Sequence, residues 1–472
     1  MVQTARMTAT TGDVPLISVI ALTRDRQQDF RSLMIALSLQ RYPNFEVIVV
    51  GANPTVDSHG APPALARRIT YAQCVEQNIS RSRNIGLSLA AGEIVAFIDD
   101  DAAPEADWLE RLIPLFQDPE IGGVGGFVRG RNGVDYQWQG AMVDRYGGHI
   151  AISPDELRGS KDLLKSGEYF LSTVGVNSAY RRSALHAIKG FDENFHYFLD
   201  ESDICVRLQQ EGWTIGFAAA AEVHHAYSAS SERRANRAPR DLFQIAASRA
   251  YFGRCHGHVD WQQIKLDEFR DDQTRRLAKF VQLGRISRRQ ADAIVARMEE
   301  GLSEGLLRYE AGKVQTRLTP PDEYLASEEL FGRSRTRRVR VALVVGSLAR
   351  SAIYRAARQL AQAGFEVSVI DFSLRAQRLK VWFSEGIWHH VGGILGRDRF
   401  GEPLPVPRRC LRVKRELQRI GERRQFDCVI RPAARKFKIG DMRPANMAGI
   451  LSGYVAEPLH LGGAEAVLTT LS

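Results

Sequence analysis

Three consecutive aspartates, Asp99, Asp100 and Asp101, close the apolar run Ile94-Val-Ala-Phe-Ile98. Carboxylates crowded at the end of a buried strand repel one another unless a cation or solvent neutralises them. Mg2+ or Mn2+ would do so, because these hard ions take one or two carboxylates together with phosphate oxygens. Taken alone, the same turn also reads as an exposed acidic loop or a helix cap. A second acidic group, Asp200, Glu201 and Asp203, sits beside Tyr197 and Phe198 and runs into a helical pattern. Asp203 and Arg207 read as an i,i+4 ion pair, which leaves Asp200 and Glu201 as candidate general bases for a reacting hydroxyl. His224 and His225 end the run 218–223. A histidine in that setting is ordinarily structural, yet an imidazole there could complete a metal site with Asp101. Arg81 and Arg83, one helix upstream of Asp99, offer charge to a diphosphate.

The elements that must position these groups alternate. A strand over 17–22, a helix over 29–40, a strand over 46–50, a helix over 80–91 and a strand over 94–98 predict an α/β fold with a mostly parallel, helix-covered sheet. Ligands of such sheets bind beyond the carboxyl ends of the strands. Thr23-Arg24-Asp25, the turn Gly51-Ala52-Asn53 and Asp99 to Asp101 all fall there. The stretch 119–150 has no clear period and is expected to run over the surface as a loop. Helical periodicity dominates from 240 to about 334, and a second β-α-β pattern follows from Val339.

At 472 residues the chain predicts two or more domains. With 44% hydrophobic and 25% charged residues, disordered and fibrous classes are excluded. No window carries the ~18 uncharged apolar residues of a membrane helix, and the N-terminus lacks a signal core, so a cytoplasmic location is expected. Five cysteines, odd in number and never in a CxxC pair, argue against a disulfide framework or a zinc site. The net charge of +9 suits a phosphate-bearing substrate, an anionic lipid surface or nucleic acid. No nucleic-acid motif accompanies it, and none is expected as partner. The arginine run 333–340 reads as a solvated linker, with peripheral contact at the inner face of an anionic membrane as the alternative.

In order and spacing, residues from about Ile17 to Ser231 resemble a family 2 glycosyltransferase of the GT-A fold, a Rossmann-like mixed sheet that takes nucleotide-diphospho-sugars. The opening Ser18-Val-Ile-Ala-Leu-Thr23-Arg-Asp25-Arg26 is similar to that family's first strand, and the resemblance puts Thr23 and Asp25 beside the donor nucleotide. Asn78 to Gly86 matches a helix ending in R-N-x-G and adds Arg83 to the donor set. Ala91-Gly-Glu-Ile-Val-Ala-Phe-Ile-Asp-Asp-Asp101 matches the DXD-bearing segment; it implies that Asp99 and Asp100 contact the donor and that Asp101 holds Mn2+ or Mg2+. Gly175-Val-Asn177 through Arg182 resembles the segment lining the acceptor pocket. Asp200-Glu201-Ser-Asp203 through Leu208 resembles the acidic base motif with Asp and Glu exchanged, so Glu201 takes the base position and Asp200 is second choice. Ala221-Glu-Val-His-His225 makes His225 the preferred metal ligand.

The chain departs from the pattern after its second strand. An aspartate that would pair with uracil or thymine is replaced by Val49-Val-Gly51-Ala-Asn53-Pro, leaving Asn53 or Asp57 as substitutes, or a donor that carries another base. From Val339 onward the text weakly resembles the N-terminal half of a GT-B glycosyltransferase, expected to be inactive or part of a truncated bifunctional enzyme. The resulting expectation is a disordered tail (1–14), a GT-A catalytic domain (15–260), a helical extension and basic linker (261–338) and a smaller Rossmann-like α/β domain (339–472). The implied activity is inverting, metal-dependent transfer from a nucleoside-diphosphate sugar to a glycan or lipid-linked hydroxyl, in cell-envelope polysaccharide or glycolipid synthesis. The alternative is an inactive nucleotide-sugar-binding scaffold of the same fold. A nucleotidyltransferase would want a glycine-rich first loop, which Thr23 to Arg26 is not.

Overall fold

Strands covered on both faces read as continuous apolar runs, and the first two strands obey this. β1 (Ile17–Thr23) and β2 (Phe45–Gly51) are buried at almost every residue and pair in parallel from Ile17 opposite Phe45 to Thr23 opposite Gly51. The computed structural model describes residues 14–24, 26–53, 61–152, 164, 166–312, 318–319, 324–325, 340–345, 350–373, 377–393, 409–421, 424, 426, 428–432 and 454–457.

Helix α1 (Gln27–Ser38) buries Phe30, Leu33, Met34 and Leu37 against the sheet. After β3 (Ile69–Gln73), helix α2 (Ile79–Leu89) starts at Asn78, whose side chain accepts the Arg81 N–H at 3.0 Å, an N-cap that satisfies one orphan amide. β4 (Ile94–Asp99) lies parallel to β1 and delivers the three aspartates to the carboxyl end of the sheet. The turn entering β4 is held at the opposite end. Ser18 Oγ donates to Glu46, accepts the Gly92 N–H, and leaves a Cβ on Gly92 only 2.5 Å from the Ser18 nitrogen. The Ala91-Gly-Glu part of the motif is therefore a packing device.

Beyond β4 the sheet turns mixed. After β5 (Ala102–Pro104) and a short helix α3 (Trp108–Leu112), strand β6 (Ile121–Arg129) is buried throughout. This corrects the expectation of a surface loop over 119–150. The stretch Gly122-Gly-Val-Gly-Gly126 has no clear apolar period because its glycines make room for large neighbours: a Cβ on Gly122 would lie 2.7 Å from Trp213, and one on Gly123 would lie 2.7 Å from Tyr180. β7 (Tyr136–Trp138) pairs with β6, and β8 (Ala141–Asp144), β9 (His149–Ala151) and β10 (Tyr169–Ser172) form a separate three-stranded sheet. β11 (Ser178–Arg181), helix α4 (Arg182–Ala187), helix α5 (Asp200–Gln210) and β12 (Thr214–His225) complete the domain. The main sheet runs β3-β2-β1-β4-β11-β6-β12-β5, with apolar clusters on both faces.

Three helices follow: α6 (Phe243–His256), α7 (Val259–Gln282) and α8 (Arg288–Ala311). α6 and α8 approach closely enough that a Cβ on Gly301 or Gly305 would stand 2.2 Å from a backbone oxygen of α6. The chain then returns to the main sheet, where β13 (Tyr324–Leu325) pairs with β3. A second sheet has parallel central strands: β14 (Arg340–Val344), β15 (Glu366–Ser373), β17 (Ile387–Gly393) and β18 (Cys428–Pro432). β16 (Lys380–Ser384) and β19 (Tyr454–Glu457) pair antiparallel at its edges, and helices α9 (Arg350–Gln362) and α10 (Arg409–Gly421) accompany it. Among the described residues no helix is long and apolar enough to cross a membrane.

The tightest glycine of β6 gives a direct test. A Cβ on Gly126 would meet the Asn177 amide at 2.3 Å and the Ala221 carbonyl oxygen at 2.4 Å. Gly126→Ala should lower stability in urea unfolding by about 1 to 3 kcal/mol, as overpacking against immovable backbone does.

Candidate active site

The site is built where β4 ends and β5 begins. β5 runs antiparallel to the last residues of β12, pairing Ala102 with His225 and Ala103 with His224. That register sets Asp101 beside His225, with His225 Nε2 3.2 Å from Asp101 Oδ1. Asp99, Asp101 and His225 each offer a ligand atom, all within 4.8 Å of one another. His225 Nδ1 lies 3.1 Å from Gln137 Oε1, while Nε2 faces the carboxylates. Second partners of this kind fix ring orientation at metal sites.

Charge in the turn is finely divided. Asp101 Oδ2 accepts the Ser228 N–H at 2.8 Å and lies 3.0 Å from Arg26 Nη1; Arg26 Nη2 lies 2.9 Å from Asp100 Oδ1. Burial works to raise the Asp101 carboxyl, but the His225 hydrogen bond and charge, Arg26 and the Ser228 amide outweigh it and hold it well below the usual range. Burial, reinforced by Asp101 and Asp99, pushes Asp100 up to about 8 against Arg26. Asp99 is raised as well, by burial and Asp101 against His225, Arg83 and Arg26. One ionised carboxylate, Asp101, thus stands beside two neighbours that resist ionising. This is the environment a divalent cation relieves, and two carboxylates with an imidazole suit Mn2+ or Mg2+.

The second acidic group enters from α5. Phe198 and Leu199 both adopt left-handed backbone, with φ of 73° and 65°, to turn the chain into the helix. Such strain in non-glycine residues concentrates at functional sites. Asp200, 2% exposed, forms a buried ion pair with Arg83, whose guanidinium also lies 5.7 Å from the Phe97 ring and 5.3 Å from the Phe191 ring. Glu201 is half-buried and, among the described residues, takes no hydrogen bond or ion pair. Asp203 is bonded by Arg207 at 2.8 Å and by His256 at 2.9 Å, which commits it to structure.

Residues 18–189, which bring the aspartate turn, Arg83 and Asn177 into this arrangement, match the profile of Glycosyl transferase family 2. The segment is a family 2 glycosyltransferase domain. Its mixed sheet is the GT-A type of α/β fold expected from the sequence. Among its relatives, the O-antigen biosynthesis protein RfbC of Myxococcus xanthus is 29% identical over 254 residues, 51% of this chain and 19% of that protein. The glucosyl-dolichyl phosphate glucuronosyltransferase of Haloferax volcanii is 27% identical over 224 residues, 44% of this chain and 68% of that protein. The chain thus spans from about a fifth to about two thirds of the length of these curated relatives. A mannosyltransferase of Pyrobaculum calidifontis, solved with GDP-Man and Mn2+, is 17% identical with a TM-score of 0.37, over 62% of this chain and 88% of that one.

Within the glycosyltransferase domain, the other expected site residues fall into distinct places. Thr23 is buried at the end of β1, and Asn53 is exposed just after β2. Asp25 and Asp57 lie outside the described residues. Gly175 leaves room for Arg83, since a Cβ there would stand 2.2 Å from its Nη2. Asn177, expected to line the acceptor pocket, is corrected: it is fully buried. Its amide donates to the carbonyls of Phe127 and Ala221 at 2.9 Å each and accepts the Trp108 indole N–H at 2.8 Å, which ties β6, β12 and α3 together. Three contributors escaped the sequence reading: Arg26, Gln137 and the Ser228 amide. Only Arg26 carried a signal, as a cation three residues past Thr23 at a strand end. Asn177→Ala should cost at least about 2 kcal/mol of stability in chemical unfolding, because it orphans three buried polar groups; an unchanged midpoint would return Asn177 to the ligand-binding candidates.

Proposed function

We propose that the domain moves a sugar from a nucleoside-diphosphate sugar to a hydroxyl of a glycan or lipid-linked acceptor, with inversion at the anomeric carbon. The observation that carries this reading is the meeting of Asp99, Asp101 and His225 at the sheet end, with Arg83 joining that charge to the start of α5. Asp99, Asp101 and His225 would hold Mn2+ or Mg2+, which when bound supplies positive charge to the departing diphosphate. Thr23, Asp25, Asn53 and Asp100 are proposed to line the donor, and Arg83, buried and paired with Asp200, to hold the start of α5 beside them. The relatives named for O-antigen synthesis and for transfer to a dolichyl phosphate sugar support a cell-envelope or glycolipid substrate class.

Glu201 is the proposed general base. It is half-buried and uncommitted, whereas Asp200 is engaged by Arg83. In a single displacement the acceptor oxygen forms the new bond to the anomeric carbon, its proton passes to Glu201, and the bond to the diphosphate oxygen breaks. Asp200 acts by holding Arg83, with Gly175 leaving the space.

Glu201→Gln should lower kcat by about 100-fold or more while leaving the donor KM within about threefold, the pattern of a group acting only in the transition state. Release of nucleoside diphosphate is the readout. Full turnover in both Glu201→Gln and Asp200→Asn would remove the base assignment, and nucleotide binding without any release by the unsubstituted protein would favour a non-catalytic scaffold.

A further inference from the structure

Among the described residues, the second sheet is joined to the catalytic domain through a buried cluster directly behind the metal-binding turn. Successive side chains of a strand point to opposite faces, so while His225 faces Asp101, His224 faces away. There His224 Nε2 lies 2.9 Å from Glu105 Oε1. Glu105 comes immediately after β5, three residues beyond the strand's first residue, Ala102. Arg424 donates to both Glu105 oxygens at 2.5 Å and lies 3.8 Å from the centroid of the Trp388 ring, which in turn packs 4.5 Å from the His224 ring.

This contact has the marks of a permanent one. Ala103, Ala106 and Val134 share a single apolar cluster with Phe372, Val381 and Trp388. The Val381 N–H donates to the Asn132 carbonyl at 2.7 Å, and Gly133, at φ +65°, sits so close that a Cβ would fall 1.9 Å from the Val381 oxygen. Glu105, Glu222 and His224 come within ligand distance of one another. They do not form a second cation site, because Arg424 neutralises Glu105 and Arg129 neutralises Glu222 with bonds of 3.0 and 2.8 Å.

We propose that the C-terminal unit is a brace for the metal site: Arg424 and Trp388 are positioning residues that hold Glu105 and His224, and through β5 and the end of β12 fix the separation of Asp101 and His225. The inference rests on the metal reading above. The strand pair sets three residues of β5 opposite Val223, His224 and His225 and is continued by the Ala226 N–H on the Asp101 carbonyl and the Glu105 N–H on the Glu222 carbonyl, so a shift of Glu105 is passed along it toward Asp101 and His225. Removing Arg424 would leave Glu105 as a buried carboxylate with its main counter-ion gone, which a structure relieves by moving.

The test titrates Mn2+ alone into the full chain, following free Mn2+ by electron paramagnetic resonance. Arg424→Ala is expected to weaken Mn2+ binding at least about tenfold, the usual scale for outer partners of a metal site. Arg424→Lys, which keeps the charge without the two-pronged bond, should fall between that variant and the unsubstituted protein. Arg358→Ala, which breaks an exposed pair with Glu385 in the same unit, should leave binding within twofold. If Arg424→Ala does not fold, Arg424→Lys is read in its place, with an expected weakening of at least threefold. A folded Arg424 variant that binds Mn2+ as tightly as the unsubstituted protein overturns the brace while leaving the metal site standing. Failure of the unsubstituted protein to bind Mn2+ overturns both.

Discussion

Three adjacent carboxylates at the mouth of a buried strand are an electrostatic liability, and most of what surrounds them answers it. Arg26 reaches Asp100 and Asp101, His225 and the Ser228 amide reach Asp101, and Arg83 adds its charge from beneath. Even so, Asp100 and Asp99 are pushed toward the neutral form. The protein's own cations leave the turn short of balance, and that shortfall is the physical basis for proposing a divalent ion there.

The rest of the domain supplies geometry. The antiparallel pairing of β5 with the end of β12 brings together residues 124 positions apart in the sequence, Asp101 and His225. β6 is almost without side chains in its first half, so that Trp213, Tyr180 and the Asn177 amide can pack across it and fix β11 and β12 on either side. Gly175 has the same use on a smaller scale, giving the Arg83 guanidinium its place against Asp200. Behind the site, Arg424, Trp388 and Glu105 close the edge of the sheet.

β1, β2 and β4, with α1 and α2, were legible because parallel, doubly covered strands announce themselves as apolar runs, and the carboxyl-end rule then pointed to the aspartate turn; β3, Ile69-Thr-Tyr-Ala-Gln73, was not read as a strand. That His225 and not His224 partners Asp101 came only through resemblance, since nothing local links them. β6 was misread because its burial comes from neighbours' side chains, so its own glycines gave no apolar period. Asn177 was misassigned for a related reason: a buried amide serving three backbone and indole partners carries the same letter as one facing a ligand. Arg424 had no signal at all, because its partner Glu105 lies 319 residues earlier.

On the proposed function, the turn binds nucleoside diphosphate only together with a divalent cation. Thermal melting of the full chain against a panel of nucleoside diphosphates, with and without Mn2+, measures this directly, since a ligand that binds the native state raises its melting temperature. A clear rise is expected for at least one nucleotide with Mn2+, little without it, and loss of the rise in Asp101→Asn and His225→Ala. Equal stabilisation without Mn2+, or a rise that survives both substitutions, would contradict it.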